Sequence, residues 1–233
     1  MARFSRLQVY SEMIRVGLIP LYYHPDIDVM KQLIHACVEG GCTVFEFTNR
    51  GDKAYPVFLE LIEHCKHAHP NLILGVGSVV DAGTASLFIE CGANFIVGSV
   101  FNPEIAKVCN RRKIAYIPGC YTPSEISNAE EMGVEIVKVF PGSSLGGPEF
   151  VKAIHGPTPW TRIMVTGGIK ANKEDIQAWF RSGATAIGMG SNLIEPQWLQ
   201  AGNFEAITQR VRDILAWISE VRGESSGFRN DLR

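Results

Sequence analysis

The feature that most restricts this chain is an alternation that runs almost from end to end. Short apolar runs rich in β-branched residues are each followed by Gly, Ser, Asn or Pro and then by an amphipathic stretch. The runs are LIPLYY (18–23), TVFEFT (43–48), LILGVG (72–77), NFIVG (94–98), IAYIPG (114–119), EIVKVFP (135–141), RIMVTGG (162–168) and TAIGMG (185–190). Several are apolar throughout, which is how strands covered on both faces of a parallel sheet read. Between them, positions such as Val29, Leu33, Ile34, Cys37 and Val38 recur at helical spacing, and Gly41, Gly92 and Gly183 stand where helices end. About eight strand–helix units in a chain of this length is the count of a (β/α)8 TIM barrel. An open doubly wound sheet is the competing arrangement. We expect a single α/β barrel domain over 1–222, with an extra N-terminal helix over Arg3–Val16 closing the bottom of the barrel. The segment 223–233, GESSGFRNDLR, is polar and reads as a disordered tail.

Composition removes other classes. With 46% hydrophobic and 20% charged residues, the chain has enough apolar surface to offset the entropy of ordering. A net charge of −2 supplies no basic field for nucleic acid or anionic lipid, so neither is expected as a partner. No apolar run approaches the roughly 20 residues that span a bilayer. The opening MARFSRLQVYSEMIRVG breaks its apolar positions with charges, unlike a secretory signal. The six cysteines, at 37, 42, 65, 91, 109 and 120, form no C-x-x-C pair and read as buried free thiols of a reducing, cytoplasmic compartment. His64, His67 and His69 stand at the polar end of a helix before Pro70, without the further ligands a metal site needs. No metal and no cofactor is expected.

Barrel chemistry gathers at the C-terminal ends of the strands, so polar residues inside or just after an apolar run stand out. Glu46 interrupts TVFEFT, and Thr48 shares its face, as does Arg50 if the strand extends that far. An inward carboxylate is costly unless paired or used. It is either half of a structural Glu–Arg pair or a general acid/base beside a carboxylate-binding arginine. Lys138 interrupts EIVKVFP. Lysine is almost never buried without a partner or a task. Low-dielectric surroundings disfavour the ammonium, and the free amine attacks carbonyls; the alternative is a side chain that snorkels to the rim. Together the three residues supply the roles of an imine-forming aldolase. The amine captures a keto group, the carboxyl moves protons, and the guanidinium grips the carboxylate of a 2-oxo acid. Gly167 and Gly168, then Gly190 with Ser191, close the last two strand units. Loops there are a frequent phosphate site in barrels, because glycine lets backbone N–H groups approach an anion; otherwise they are tight turns.

With these motifs on view, the chain resembles the 2-keto-3-deoxy-6-phosphogluconate (KDPG) and 4-hydroxy-2-oxoglutarate (KHG) aldolase family. The resemblance is carried by GGCTVFEFTNRG, GVGSV, IPGCYTPSE, VKVFPGSSLGG, VTGGI and GMGSNL, and runs from near Ile14 to near Val221. It implies a class I aldolase on a barrel, with Lys138 as Schiff-base lysine, Glu46 as acid/base and Arg50 on the pyruvate carboxylate. Ser78 falls where most members have a threonine that touches the same carboxylate. Phe140 and Pro141 match the pocket wall. Thr166, Gly167, Gly168 and Ser191 match the region that lines the substrate and holds its phosphate. The resemblance further implies a small-molecule 2-keto acid substrate, pyruvate and an aldehyde as products, and a homotrimer. The chain departs from the pattern in three places. Gly98-Ser99-Val100 stands for S-P-G, Tyr22-Tyr23-His24 for a stretch that carries arginine in some members, and Gly188-Met189-Gly190-Ser191 for a G-G-S motif. A sugar-phosphate epimerase or isomerase barrel and a non-catalytic sugar-acid binder are the competing functions.

Overall fold

A computed structural model describes residues 2–226. The apolar runs become the parallel strands β1 (Leu18–Tyr22), β2 (Val44–Thr48), β3 (Ile73–Gly77), β4 (Phe95–Val97), β5 (Ala115–Ile117), β6 (Gly119–Cys120), β7 (Val137–Val139), β8 (Ile163–Thr166) and β9 (Ala186–Met189). They form one sheet in the order β5-β4-β3-β2-β1-β9-β8-β7-β6. Its two ends, β5 and β6, are separated in the chain only by Pro118. They are two halves of one barrel strand, so the chain itself closes the ring.

The split has a simple cause. Proline has no N–H to give to a ladder. Up to that point the segment pairs with β4, and Gly98 N–H donates to the Ile117 carbonyl at 3.1 Å. Beyond it the partner is β7, and Lys138 N–H donates to the Pro118 carbonyl at 2.8 Å. One predicted strand is thus two short ones.

Inward and outward residues alternate strictly. Ile19, Val44, Ile73, Phe95, Ala115, Ile136, Met164 and Ala186 form an apolar layer inside the barrel. Outward partners such as Phe45, Phe47, Leu74, Ile96, Val137 and Val165 pack under the surrounding helices. The N-terminal helix α1 (Arg6–Val16) lays Val9, Tyr10, Met13 and Val16 against the inner layer and closes the barrel from below. It starts at Arg6 rather than Arg3, because Ser5 and Gln8 form a reciprocal capping box there. Tyr10 Oη pins it further, accepting the Tyr116 N–H at 3.1 Å.

The outer ring is α2 (Ile27–Glu39), α3 (Ala54–Ala68), α4 (Ala82–Glu90), α5 (Pro103–Arg112), α6 (Pro123–Glu131), α7 (Pro148–His155), α8 (Lys173–Arg181), the short α9 (Pro196–Gln200) and α10 (Phe204–Ser226). Gly41, Gly92 and Gly183 follow α2, α4 and α8 with φ of 106°, 103° and 104°, the left-handed turn a helix end needs. The last helix runs to Ser226, into the segment read from sequence as a tail; 227–233 lie outside the described residues. Five of the six cysteines are buried, and Cys91 is half-buried.

Candidate active site

Above the apolar layer the inward positions change character. Glu46 on β2, Lys138 on β7 and Thr166 on β8 all point into the lumen, and all are buried. Glycines make room for them. A Cβ on Gly77 of β3 would lie 1.7 Å from Glu46 Oε1, and one on Gly188 of β9 would lie 2.8 Å from Thr166 Oγ1. In the closed ring β2 and β7 stand on opposite sides. The carboxyl and the amine therefore face each other across the lumen. Lys138 Nζ lies 4.9 Å from the centre of the Phe140 ring, one inward step above it.

This burial sets the charges. Desolvation pushes the Glu46 carboxyl above its ordinary range, against the opposing pull of Lys138 and then Arg50. Desolvation pushes the Lys138 ammonium down; Glu46 opposes that shift, and the Arg50 guanidinium adds to it. An acid moved up and an amine moved down are each more readily found in the uncharged form. Glu46 Oε2 and Thr166 Oγ1 are buried without a hydrogen-bond partner among the described residues. Unpaired buried oxygens are costly, and a ligand in the lumen would supply these two with the missing partner.

Arg50 lies beyond the end of β2, exposed at the rim, and its Nε donates to Ser78 Oγ at 3.2 Å. Ser78 holds φ at 60°, an uncommon conformation for a residue with a side chain. It directs the hydroxyl to the arginine. Arg50 edges a mouth cavity of about 370 Å³, whose other walls include Tyr23, Thr48, Phe140, Thr166 and Asn192.

The two glycine turns form the far wall. In a planar trans peptide the C=O and the following N–H point in opposite directions. Ser143 N–H holds the Gly167 carbonyl at 3.1 Å, which turns the Gly168 N–H away from Ser143. The Leu193 and Ile194 N–H groups both hold the Gly190 carbonyl at 2.9 Å, which turns the Ser191 N–H away from that turn. Neither the Gly168 nor the Ser191 N–H has an acceptor among the described residues. Gly167 and Gly168 have φ of 93° and 80°. Neither turn runs straight into a helix, since α8 starts at Lys173 and α9 at Pro196. The available donors belong to the turns themselves.

The structure brings the sequence-derived residues together around one opening. Arg50, Phe140, Thr166, Gly167, Gly168, Gly190 and Ser191 line the cavity. Glu46 and Lys138 lie one layer deeper, Ser78 stands behind Arg50, and Pro141 packs beneath Gly167. Sequence reasoning assigned no role to Leu21, Asn192 or Gly77. Leu21 and Asn192 look like ordinary loop or strand residues, and Gly77 is marked only by the side chain that another strand sends toward it.

Comparison with known proteins places most of the chain among relatives of one family. The family model described as KDPG and KHG aldolase matches residues 9–210. The KHG/KDPG aldolase of Escherichia coli K12 is 32% identical over 192 residues, covering 79% of this chain and 87% of that protein. The 2-dehydro-3-deoxy-phosphogluconate aldolase of Haemophilus influenzae is 27% identical over 212 residues, covering 91% and 97%. Among solved structures, KDPG aldolase from Legionella pneumophila superposes with a TM-score of 0.79 at 25% identity, covering 88% and 96%. In that crystal structure pyruvate is captured at low pH as a covalent carbinolamine intermediate.

Proposed function

The chain belongs to the KDPG and KHG aldolase family, and we propose that its buried lysine–glutamate pair carries out class I cleavage of a 2-keto-3-deoxy or 4-hydroxy-2-oxo acid. Lys138 Nζ attacks the C2 carbonyl of the substrate, whose carboxylate is gripped by Arg50 with Ser78 Oγ beside it. Glu46 delivers the proton that lets the carbinolamine lose water to the iminium. Glu46, now a carboxylate, takes the C4 hydroxyl proton through a water molecule. The C3–C4 bond breaks, its electron pair moves to the iminium nitrogen, and the aldehyde leaves. The remaining enamine takes a proton at C3, and water hydrolyses the imine to release pyruvate and the free amine. Nothing is oxidised or reduced, and the protonated nitrogen is the electron sink, so the reaction needs no cofactor. Phe140 and Pro141 wall the keto-acid end, and Thr166 lines the passage. Gly167, Gly168, Gly190 and Ser191 hold the phosphate or carboxylate of the aldehyde half.

The observation that carries this reading is Lys138, buried opposite buried Glu46, with its ammonium destabilised by desolvation. Borohydride added with pyruvate should fix a pyruvate-derived mass on Lys138, located by peptide mass spectrometry. Lys138→Met should lose that adduct and nearly all pyruvate release from KDPG and KHG. An unmodified wild type, or turnover that survives Lys138→Met, would overturn the mechanism and favour an epimerase or isomerase barrel.

The family likeness also supports a homotrimer and a cytoplasmic location. Val80, Val100 and Tyr121 are exposed just beyond the neighbouring strands β3, β4 and β6, and are surface that such an assembly would cover.

A further inference from the structure

Asn192 occupies an unusual place in the far wall. It lines the mouth cavity from the turn after β9, yet its side chain is committed elsewhere. Asn192 Nδ2 donates to the carbonyl of Ile169, in the turn after β8, at 2.7 Å. The amide must present its nitrogen there, because its oxygen would meet another acceptor. The Asn192 carbonyl is held in turn by Arg210 Nη1 of α10 at 3.2 Å. Arg210 is itself fixed by the Glu195 carboxylate and by stacking over Trp198, 4.1 Å from the ring centre. On the other side, Ser143 N–H ties Gly167 to the segment after β7. An unbroken chain of contacts therefore runs from α10 through Asn192 to both glycine turns. The two N–H groups without an acceptor among the described residues, those of Gly168 and Ser191, sit on either side of this link.

We propose that Asn192 is a positioning residue that sets specificity for an anionic distal group, by strapping the two glycine turns together at the spacing their free N–H donors need. This rests on the aldolase reading above. Among the described residues, Arg50 is the only cationic side chain on the cavity lining, and that reading commits it to the keto-acid carboxylate. A distal phosphate is then held mainly by backbone donors. Such donors act together only if their separation is held. The strap has no part in imine chemistry at Lys138, so its loss acts on one end of the substrate.

The test compares wild type with Asn192→Ala and with Asn192→Asp, which keeps the shape but removes the donor. Each enzyme is assayed for cleavage of KDPG and of its unphosphorylated analogue, and for exchange of the pyruvate C3 protons into D2O. Exchange needs the amine, the carboxyl and the carboxylate grip, but not the far wall. Loss of one such hydrogen bond should raise KM for KDPG about tenfold in both variants. KM for the unphosphorylated analogue, kcat and the exchange rate should stay near wild type. An unchanged KM, an equal rise for both substrates, a parallel fall in exchange, or a wild type that does not prefer the phosphate would overturn the proposal. Wild-type protein that fails to exchange pyruvate protons overturns the aldolase reading itself, which separates the two failures.

Discussion

Glu46 and Lys138 owe the chemistry proposed for them to position rather than to kind. Each is an ordinary side chain made unusual by the loss of water, and each acts on the other's charge across the lumen. The pH dependence of imine formation follows from the sign of these effects. The amine attacks as the free base, so trapping by cyanoborohydride should rise as pH climbs through the Lys138 pKa, below the ordinary lysine range. Arg50 lowers that pKa, so Arg50→Met should move the rising limb to higher pH. Glu46 raises it, so Glu46→Gln should move the limb to lower pH, whatever either change does to the maximum rate. Limbs that shift the other way would contradict the arrangement. At this scale the sequence was informative where a residue broke its own local pattern. A charge inside an apolar run is visible without knowing what surrounds it. Gly77 and Asn192 break no local pattern; Gly77 is marked by the Glu46 side chain that reaches it from β2, and Asn192 by its donation to the Ile169 carbonyl in another turn.

At the scale of elements, the apolar runs and helical spacings were legible because burial on both faces of a parallel strand leaves its mark in consecutive residues. Two details were not. The first is the start of α1, where the expected boundary at Arg3 overlooked the S-x-x-Q cap. Ser5 Oγ accepts the Gln8 N–H, and Gln8 Oε1 accepts the Ser5 N–H at 2.8 Å. Ser5→Ala should cost about 1 kcal/mol and lower the melting temperature by roughly 2–4 °C, as read by calorimetry. The second is the break between β5 and β6. Pro118 lies inside the run IAYIPG and gives notice of an interruption. That the chain changes neighbours there, from β4 to β7, follows only from closure of the ring.

At the scale of the whole molecule, stability and chemistry occupy opposite ends of the barrel, as is usual for this fold. The helix α1 fills the lower end, where Met13 is wholly buried against the inner apolar layer. The polar layer and its cavity lie at the upper end. Met13→Ala should therefore lower unfolding stability by about 2–5 kcal/mol, measured by chemical denaturation. The same variant should trap pyruvate on Lys138 at the wild-type rate wherever it remains folded. A matching loss of trapping would mean that the two ends are mechanically coupled. The net charge of −2 is no obstacle to an anionic substrate, because the donors are local: one exposed arginine, a buried lysine and the N–H groups of two turns.

The sequence by itself determined the repeating strand–helix unit, the two charged residues that interrupt apolar runs, and the family to which the chain belongs. All three are written in neighbouring residues, through the alternation of side chains along a strand and the cost of burying a charge. Only the tertiary structure decided that β2 and β7 stand opposite each other, that Gly77 leaves space for a carboxylate from the next strand, and that Asn192 binds two turns into one wall. Those relations join residues far apart in the chain. Their energies arise from exclusion of water and from close contact, which exist only once the barrel has closed.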